Sequence, residues 1–429
     1  MKQFFELEKH GTSVKVEVMA GITTFLTMAY ILVVNPLTLA EAGMDFGAVF
    51  TATTLSALIA TLVMALVAKL PFALAPGMGL NVFFAFSVCI GMGKTWQFAL
   101  TAVFLEGIIF LILTFLNVRE AIINCIPQNI KRGISVGIGL FVAFIGLKNG
   151  GLIATNPATL LQLGDMASPT AILAVIGLII TGIFLALKIK GALLWGILAS
   201  TVIGIPMGVT SVEGFAIFKA PPSLAPVFLK FEWAQIFTVD MAVVLFTFLF
   251  VDMFDTVGTL IGVCTNCNMI NEKGEIPKAK QALLADAIGT TVGAMLGTST
   301  VTTYVESTAG VSEGGRTGLT ALSTAGMFFL ALFLSPLFLM VPSAATAPAL
   351  VLVGLFMINP IKEIDWSDIT EAIPAFLTII MMPLTFSISE GIVFGILSFV
   401  ILKLATGKAK DVSWLTYIIA VLFLLKFII

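Results

Sequence analysis

Residues 71–86 read PFALAPGMGLNVFFAF, an apolar segment that is broken by two prolines and two glycines. The residue before each proline is pushed out of the helical region, so the backbone from Ala73 to Pro76 should be extended. A second stretch, 296–310, reads LGTSTVTTYVESTAG and is broken by glycine and hydroxyl residues. Non-helical backbone at membrane depth is tolerated only where it is buried in protein or lines a cavity. These two stretches therefore indicate where a site lies if the chain spans a membrane.

The amino-acid composition shows that the chain spans a membrane. Of the 429 residues, 59% are hydrophobic and 11% are charged, whereas a soluble domain carries about 25% charged residues. A chain with so little charge cannot cover a water-facing surface, which excludes soluble enzymes and disordered proteins. The formal net charge of −2 offers no basic face for nucleic acid. The sequence predicts an all-α polytopic protein whose partner is the lipid bilayer.

A membrane-spanning helix needs about 20 mainly apolar residues, and fourteen segments approach this length. Ten are clear, at 17–37, 49–69, 95–117, 132–150, 169–188, 191–208, 237–262, 317–340, 368–386 and 388–405. Four are weaker, at 71–92, 279–296, 297–313 and 341–360. The connection 209–236 divides them into seven and seven, and the broken segment is third in each half. Matched interruptions are typical of transporters built from inverted repeats, with the site at the midplane between them.

The lysines and arginines indicate the orientation. With fourteen spans, 17 of the 22 fall on the side of the N-terminus, four on the other side, and Lys426 is unassigned. The positive-inside rule then places the N-terminus in the cytoplasm and the protein in the cell membrane as a multi-pass protein. The first apolar run is too long for a cleaved signal peptide. The tail, 406–429, includes the apolar stretch 413–429, which either spans the membrane or lies at its interface.

Five acidic residues stand out inside predicted spans, where a charge costs several kcal/mol and marks a candidate site. They are Glu106, Asp252, Asp255, Asp286 and Glu306. Asp252 and Asp255 are three residues apart and share a helix face, so the two can share one proton. Because no lysine or arginine lies deep in a span to neutralise these acids, proton coupling is expected at Asp252, Asp255 and Glu306. Glu106 and Asp286 lie in ordinary helices and are expected to bind hydroxyls of a neighbouring helix, with proton relay as the alternative.

The broken segments supply the remaining candidate ligand-binding groups. Glu306 lies among hydroxyl residues that include Thr302, and this cluster suits a planar ligand that hydrogen-bonds to a carboxylate and to free backbone groups. In the first half, Gly77 and Gly79 let the backbone approach a ligand, and Asn81 offers both a donor and an acceptor. No metal or organic cofactor is expected. Cys264 and Cys267 have CxxC spacing, but a zinc site needs four ligands and the single histidine, His10, is far away in sequence.

Five motifs together resemble the azaguanine-type purine permeases, a branch of the nucleobase–cation symporter-2 class that carries guanine, hypoxanthine or adenine. They are GITTFLTMAYILVVNP (21–36), PFALAPGMGLN (71–81), FVDMFDTVGTLIG (250–262), GTSTVTTYVESTAGV (297–311) and GGRTGLTAL (314–322). The resemblance extends from about residue 10 to residue 405, with the motifs in order.

The resemblance implies the uracil-permease fold, with fourteen spans in two inverted repeats and short strands in spans 3 and 10. It implies a core domain (17–117 and 237–340), a gate domain (118–208 and 341–405) and a homodimer formed through the gate domain. The family's substrate contacts fall on Asn81, Asp252 and Glu306, and Asp255 is implied to be important for transport. In the hypothesis that follows, Glu306 accepts purine N–H bonds, and Asp252 contacts another edge of the base and exchanges the coupling proton. Asn81 and the backbone from Ala75 to Gly79 contact the remaining ring atoms.

The expected function is import of a purine nucleobase, guanine or hypoxanthine first, with protons as the coupling ion. The alternatives are an adenine-preferring permease of the same family and a sulfate-type anion carrier of the same fold. A site rich in carboxylates disfavours an anion. An intramembrane aspartyl protease would need aspartates on different helices and a GxGD element. Asp252 and Asp255 share one helix instead, so no enzymatic activity is expected. The sequence leaves open which purine is preferred and whether sodium replaces the proton.

Overall fold

The protein is mostly helical in a computed structural model that describes residues 3–116, 127–212, 216–266 and 278–428. The start of the predicted gate range, 118–126, and Cys267 lie outside these residues. Within them, seven helices are long and apolar enough to cross a membrane, and four shorter apolar helices accompany them. Each of the fourteen predicted segments contains helix, while the number that crosses the membrane stays a prediction.

The first half contains α1 (Val14–Met28), α2 (Ile31–Ala40), α3 (Phe46–Val63, continued by a π-helical turn, Met64–Ala68), β1 (Leu74–Pro76), α4 (Met78–Val82, continued by a π-helix, Phe83–Gly91), α5 (Trp96–Leu116), α6 (Gln128–Asn149), β2 (Ile153–Asn156), β3 (Leu160–Leu163), α7 (Pro169–Ala186) and α8 (Ala192–Gly204). The β2–β3 hairpin pairs Ile153 with Leu163. It occupies the connection between the predicted spans 132–150 and 169–188.

The second half contains α9 (Val239–Asn266), α10 (Ala279–Leu296), β4 (Val301–Thr303), α11 (Ser307–Ser312), α12 (Gly318–Phe333), α13 (Ser335–Leu339), α14 (Ser343–Met357, followed by a 3-10 turn, Asn359–Glu363), α15 (Ile369–Thr385), α16 (Ile388–Ala405, followed by a 3-10 turn, Ala409–Asp411) and α17 (Trp414–Ile428). The apolar tail is therefore helical, and α17 packs against α16.

The two broken segments meet as an antiparallel pair of short strands. Leu74 of β1 lies opposite Thr303 of β4, and Ala75 lies opposite Thr302. The strands predicted in spans 3 and 10 are thus confirmed. Each strand has a second edge whose backbone groups also need partners, because all of these residues are buried.

A threonine on the preceding helix serves that second edge in both halves. The Thr61 hydroxyl of α3 donates to the carbonyl of Leu74 (3.1 Å) and accepts from its N–H (3.0 Å). The Thr290 hydroxyl of α10 does the same for Val301, at 3.0 and 3.2 Å. The same device in corresponding places of the two halves is what an inverted repeat predicts.

The helix after each broken segment also begins alike in the two halves. Residues 93–95 are Gly-Lys-Thr and residues 315–317 are Gly-Arg-Thr. The Thr95 hydroxyl accepts from the N–H of Phe98 at the start of α5, and the Thr317 hydroxyl accepts from Leu319 at the start of α12. A glutamate from elsewhere binds each threonine, Glu232 in the first case and Glu17 in the second.

Glu17 of α1 is fully buried, and its carboxylate caps the N-terminus of α12. It accepts hydrogen bonds from the backbone N–H groups of Arg316, Thr317 and Thr320, at 2.9, 3.2 and 3.1 Å. It also accepts from the hydroxyls of Thr317 (2.9 Å) and Thr320 (2.6 Å). A carboxylate at this place stabilises the free N–H groups of the helix end and complements its dipole.

The helices pack most extensively within two groups. One group contains α1, α2, α3, α5, α9, α10 and α12, and the other contains α6, α7, α8, α14, α15 and α16. Glycines allow the closest approach in the second group. A Cβ added to Gly139 of α6 would lie 2.7 Å from the Cβ of Met357 in α14, so the two helices are in backbone contact there.

Candidate functional site

The paired strands carry the broken segments into the centre of the molecule, and α4 begins immediately after β1. The N–H of Gly77 donates to the carbonyl of Thr300 (2.9 Å), which extends the pairing by one residue. A Cβ at Gly77 would lie 3.0 Å from the Thr302 side chain. Glycine at this position therefore lets the two segments approach each other closely.

Asn81 lies in the first turn of α4 and is fully buried. Its Oδ1 accepts a hydrogen bond from the Ser299 hydroxyl, which comes from the other half of the protein. Its Nδ2 has no hydrogen-bond partner within the described residues. An unsatisfied buried amide is costly, so this nitrogen is a donor that a ligand could satisfy.

Glu306 follows β4 and immediately precedes α11, so the strand break sets its position. Its side chain is half-buried. Its Oε1 accepts a hydrogen bond from the Tyr30 hydroxyl at 2.7 Å. The carboxylate of Asp255, on α9, is close enough to repel that of Glu306, and it lies next to Thr302. The structure thus brings Asp255, Thr302 and Glu306 together.

Asp252 is fully buried. It lies on α9, one helical turn before Thr256. The Thr256 hydroxyl is 3.3 Å from Asp252 Oδ1 and 2.7 Å from Asp286 Oδ1 on α10. One hydroxyl carries one proton and cannot donate fully to two carboxylates. Thr256 therefore links Asp252 to Asp286, while Asp255 lies next to Thr302 and within electrostatic range of Glu306.

The other two intramembrane acids bind hydroxyls, as the sequence predicted. Glu106 of α5 accepts from the Thr300 hydroxyl at 2.6 Å, directly beside β4. Asp286 accepts from Thr256 on the neighbouring helix. Gly79, a predicted backbone contact for the ligand, lies against α6: a Cβ there would lie 2.6 Å from a methyl carbon of Ile138.

Two residues near Glu306 were not singled out from the sequence, namely Tyr30 and Tyr304. The Tyr304 hydroxyl donates to the carbonyl of Pro76 at 2.5 Å and so joins the two broken segments. The chain has three tyrosines and 36 phenylalanines. That scarcity is the signal that could have identified both residues, because a buried tyrosine needs a partner for its hydroxyl.

Residues 15–394 match the Permease family. The chain belongs to this family. It is 46% identical to the guanine/hypoxanthine permease PbuG of Bacillus subtilis, over 100% of this chain and 99% of that one. It is 45% identical to the adenine permease AdeP of Escherichia coli, over 100% and 96% of the two chains. This permease is therefore a multi-pass membrane protein and not an enzyme.

Two solved structures share its fold. The transmembrane domain of the cyanobacterial bicarbonate transporter BicA superposes with a TM-score of 0.65 at 17% identity, covering 88% of this chain and 97% of that one. The murine solute carrier 26 member A9 anion transporter, in its inward-facing state, gives 0.65 at 12% identity, covering 91% and 68%. The permease thus has the inverted-repeat fold of these transporters, and the low identities carry no argument about its substrate.

Proposed function

We propose that this permease imports a purine nucleobase by proton symport across the cell membrane, with its N-terminus in the cytoplasm. One observation carries the proposal. Two broken segments from opposite halves pair as strands, and a buried amide donor, Asn81 Nδ2, and a half-buried carboxylate, Glu306, lie on the stretches that follow these strands. A purine edge carries both N–H donors and ring acceptors, which these groups complement. The names of the relatives, which include adenine and guanine/hypoxanthine permeases, favour the same substrate class.

In this proposal Glu306 accepts N–H bonds from the purine, and Asn81 donates to a ring acceptor. The backbone from Ala75 to Gly79 contacts the remaining ring atoms. Since a neutral base satisfies a carboxylate without bringing a second negative charge, the same site disfavours sulfate or bicarbonate. The anion carriers that share the fold do not weaken this argument, because fold alone does not determine the substrate.

Proton coupling is proposed to involve Asp252, Asp255 and Glu306. The carboxylates of Asp255 and Glu306 repel each other electrostatically, so the charge on one affects proton binding to the other. Asp252 is linked through Thr256 to a further carboxylate, Asp286. Binding of a base to Glu306 would change the charge that Asp255 experiences, which couples substrate and proton. No organic cofactor or metal is invoked.

The two groups of packed helices are proposed to move as a core domain (17–117 and 237–340) and a gate domain (118–208 and 341–405). Contacts between the groups are sparse compared with those inside them, and this favours relative motion. Gly79 and Ile138 lie at the boundary between the groups, so they would separate when the site opens. A homodimer through the gate domain is part of the same proposal.

The experiment is uptake of labelled hypoxanthine, guanine and adenine into proteoliposomes, with a proton gradient and after its collapse. We expect gradient-dependent accumulation of at least one purine, competed by the unlabelled base. Glu306→Gln should insert and fold but bind purine weakly, whereas Glu41→Gln, an exposed carboxylate at the end of α2, should behave as the wild type. Absence of uptake for all three purines would refute the proposed substrate class, and wild-type affinity in Glu306→Gln would refute the site.

A further inference from the structure

Tyr30 lies at the joint between α1 and α2 and is 1% exposed. A buried phenol is costly unless its hydroxyl is hydrogen-bonded. In a chain with 36 phenylalanines and three tyrosines, phenylalanine fills ordinary apolar positions. The hydroxyl at position 30 therefore needs an explanation that packing of the ring does not supply.

Its partner is the carboxylate at the centre of the candidate site. The Tyr30 hydroxyl donates to Glu306 Oε1 at 2.7 Å, a distance typical of a hydrogen bond to a charged acceptor. Among the described residues, no side chain other than Tyr30 donates to the Glu306 carboxylate. Tyr304, by contrast, directs its hydroxyl to a backbone carbonyl, which is a structural use of the same residue type.

Glu306 needs such an anchor for two reasons. Its side chain is only half-buried and stands at the start of a helix of six residues, α11, so packing alone does not fix its rotamer. The carboxylate of Asp255 also repels that of Glu306, so the orientation of Glu306 has to be held against this repulsion. The Thr27 hydroxyl of α1 reaches the Glu306 carbonyl at 3.4 Å, a weaker contact on the backbone side. The joint in span 1 thus contacts residue 306 at both its backbone and its side chain.

We propose that Tyr30 is a positioning residue for substrate binding. Its hydroxyl donates a hydrogen bond to Oε1 of Glu306 and so holds the carboxylate in the orientation in which Oε2 is directed to the purine. This inference rests on the proposed function, since it assigns to Tyr30 a role in the same site. Preorganisation of a binding group improves affinity because the cost of ordering it is met before the ligand arrives. The loss of the hydroxyl should therefore appear in the affinity for purine and not in the amount of folded protein.

The test compares Tyr30→Phe with Tyr417→Phe in proteoliposomes, using labelled hypoxanthine, guanine and adenine at a fixed proton gradient. Tyr417 is the matched control because it is the third tyrosine, its hydroxyl donates to the Ala409 carbonyl at 3.0 Å, and it lies on the C-terminal helix α17. We expect KM to rise about tenfold in Tyr30→Phe, as for loss of a hydrogen bond to a charged group. The maximal rate per folded transporter should change little, and both parameters should be unaffected in Tyr417→Phe.

The possible outcomes distinguish the proposed role of Tyr30 from the proposed transport of purines. Purine uptake by the wild type with an unchanged KM in Tyr30→Phe overturns the role of Tyr30 and leaves the proposed function intact. A lower maximal rate and melting temperature with unchanged KM would show a structural role and also overturn it. If the wild type takes up none of the three purines, the proposed function and the inference that rests on it both fail.

Discussion

Glu17 allows a quantitative prediction because its environment is so fully specified. In Glu17→Gln the side chain keeps its size but loses its charge, and one of its two oxygens becomes an NH2 group. The carboxylate now accepts five hydrogen bonds from the N-terminal turn of α12. Four of the five donors contact the single oxygen Oε2. If the NH2 group takes the place of Oε2, it faces donors; if it takes the place of Oε1, it faces the Arg316 N–H.

The expected cost follows from these contacts. A hydrogen bond to a charged group contributes about 1.5–3 kcal/mol net, and such terms are not additive within one network. In either amide orientation at least one donor is left facing another donor, and the stabilisation of the helix end by a charge is lost. We therefore expect Glu17→Gln to lower the free energy of unfolding by about 3 kcal/mol. Glu17→Asp, which keeps the charge on a shorter stem, should give an intermediate loss.

The assay is unfolding of the purified permease in detergent micelles, followed by tryptophan fluorescence. Glu8→Gln is the control, because Glu8 is exposed near the same terminus and exposed substitutions change stability by about 0.5 kcal/mol or less. A Glu17→Gln protein as stable as Glu8→Gln would refute the reasoning. It would show that the hydroxyls of the α12 turn can satisfy the helix end without the carboxylate.

Two further substitutions test the packing and the strand pair. Gly139→Ala should destabilise the protein by about 1–3 kcal/mol through overpacking, since the new Cβ would lie 2.7 Å from a side-chain carbon of α14. The control Gly182→Ala, whose Cβ would have no atom within 4 Å, should be neutral or stabilising in the same thermal unfolding measurement. Equal effects of the two substitutions would contradict the close contact between α6 and α14. Thr61→Val preserves shape but leaves the N–H and carbonyl of Leu74 without their second-edge partner, so a loss of about 2 kcal/mol is expected. Thr385→Val, whose hydroxyl is exposed, serves as its control, and a Thr61→Val protein as stable as this control would rule out the edge role.

The elements were predictable from the sequence where local chemistry determines them. Proline and glycine break segment 71–92, glycine and hydroxyl residues break segment 297–313, and both segments contain short strands at those breaks. The register that pairs Ala75 with Thr302 was not predictable, because it depends on the packing of residues from two halves of the chain. The matched roles of Thr61 and Thr290 were also missed, since nothing in the local sequence distinguishes a threonine that serves a strand edge from one that binds its own helix.

The acidic residues of the site were identified from the cost of placing charge in a membrane, but their grouping was not. Spacing placed Asp252 and Asp255 on one helix face. In the structure Asp255 lies next to Thr302 and within electrostatic range of Glu306, whereas Thr256 links Asp252 to Asp286. The rotation of α9 about its axis decides this difference, and that rotation is set by packing against neighbouring helices. Sequence periodicity alone does not contain it.

The strand pair has a consequence for biogenesis. The N–H of Ala73, at the start of the first break, is bonded to the Ser307 hydroxyl, which is 234 positions later in the chain. While the ribosome and the insertion machinery deliver the first half, Thr61 can serve one edge of the unwound stretch, but the edge that pairs with β4 has no partner. Lipid cannot supply one, so segment 71–92 should remain at a hydrated or protein-shielded location until span 10 emerges. Placement of this segment would then wait until a partner 234 positions later in the chain has been made.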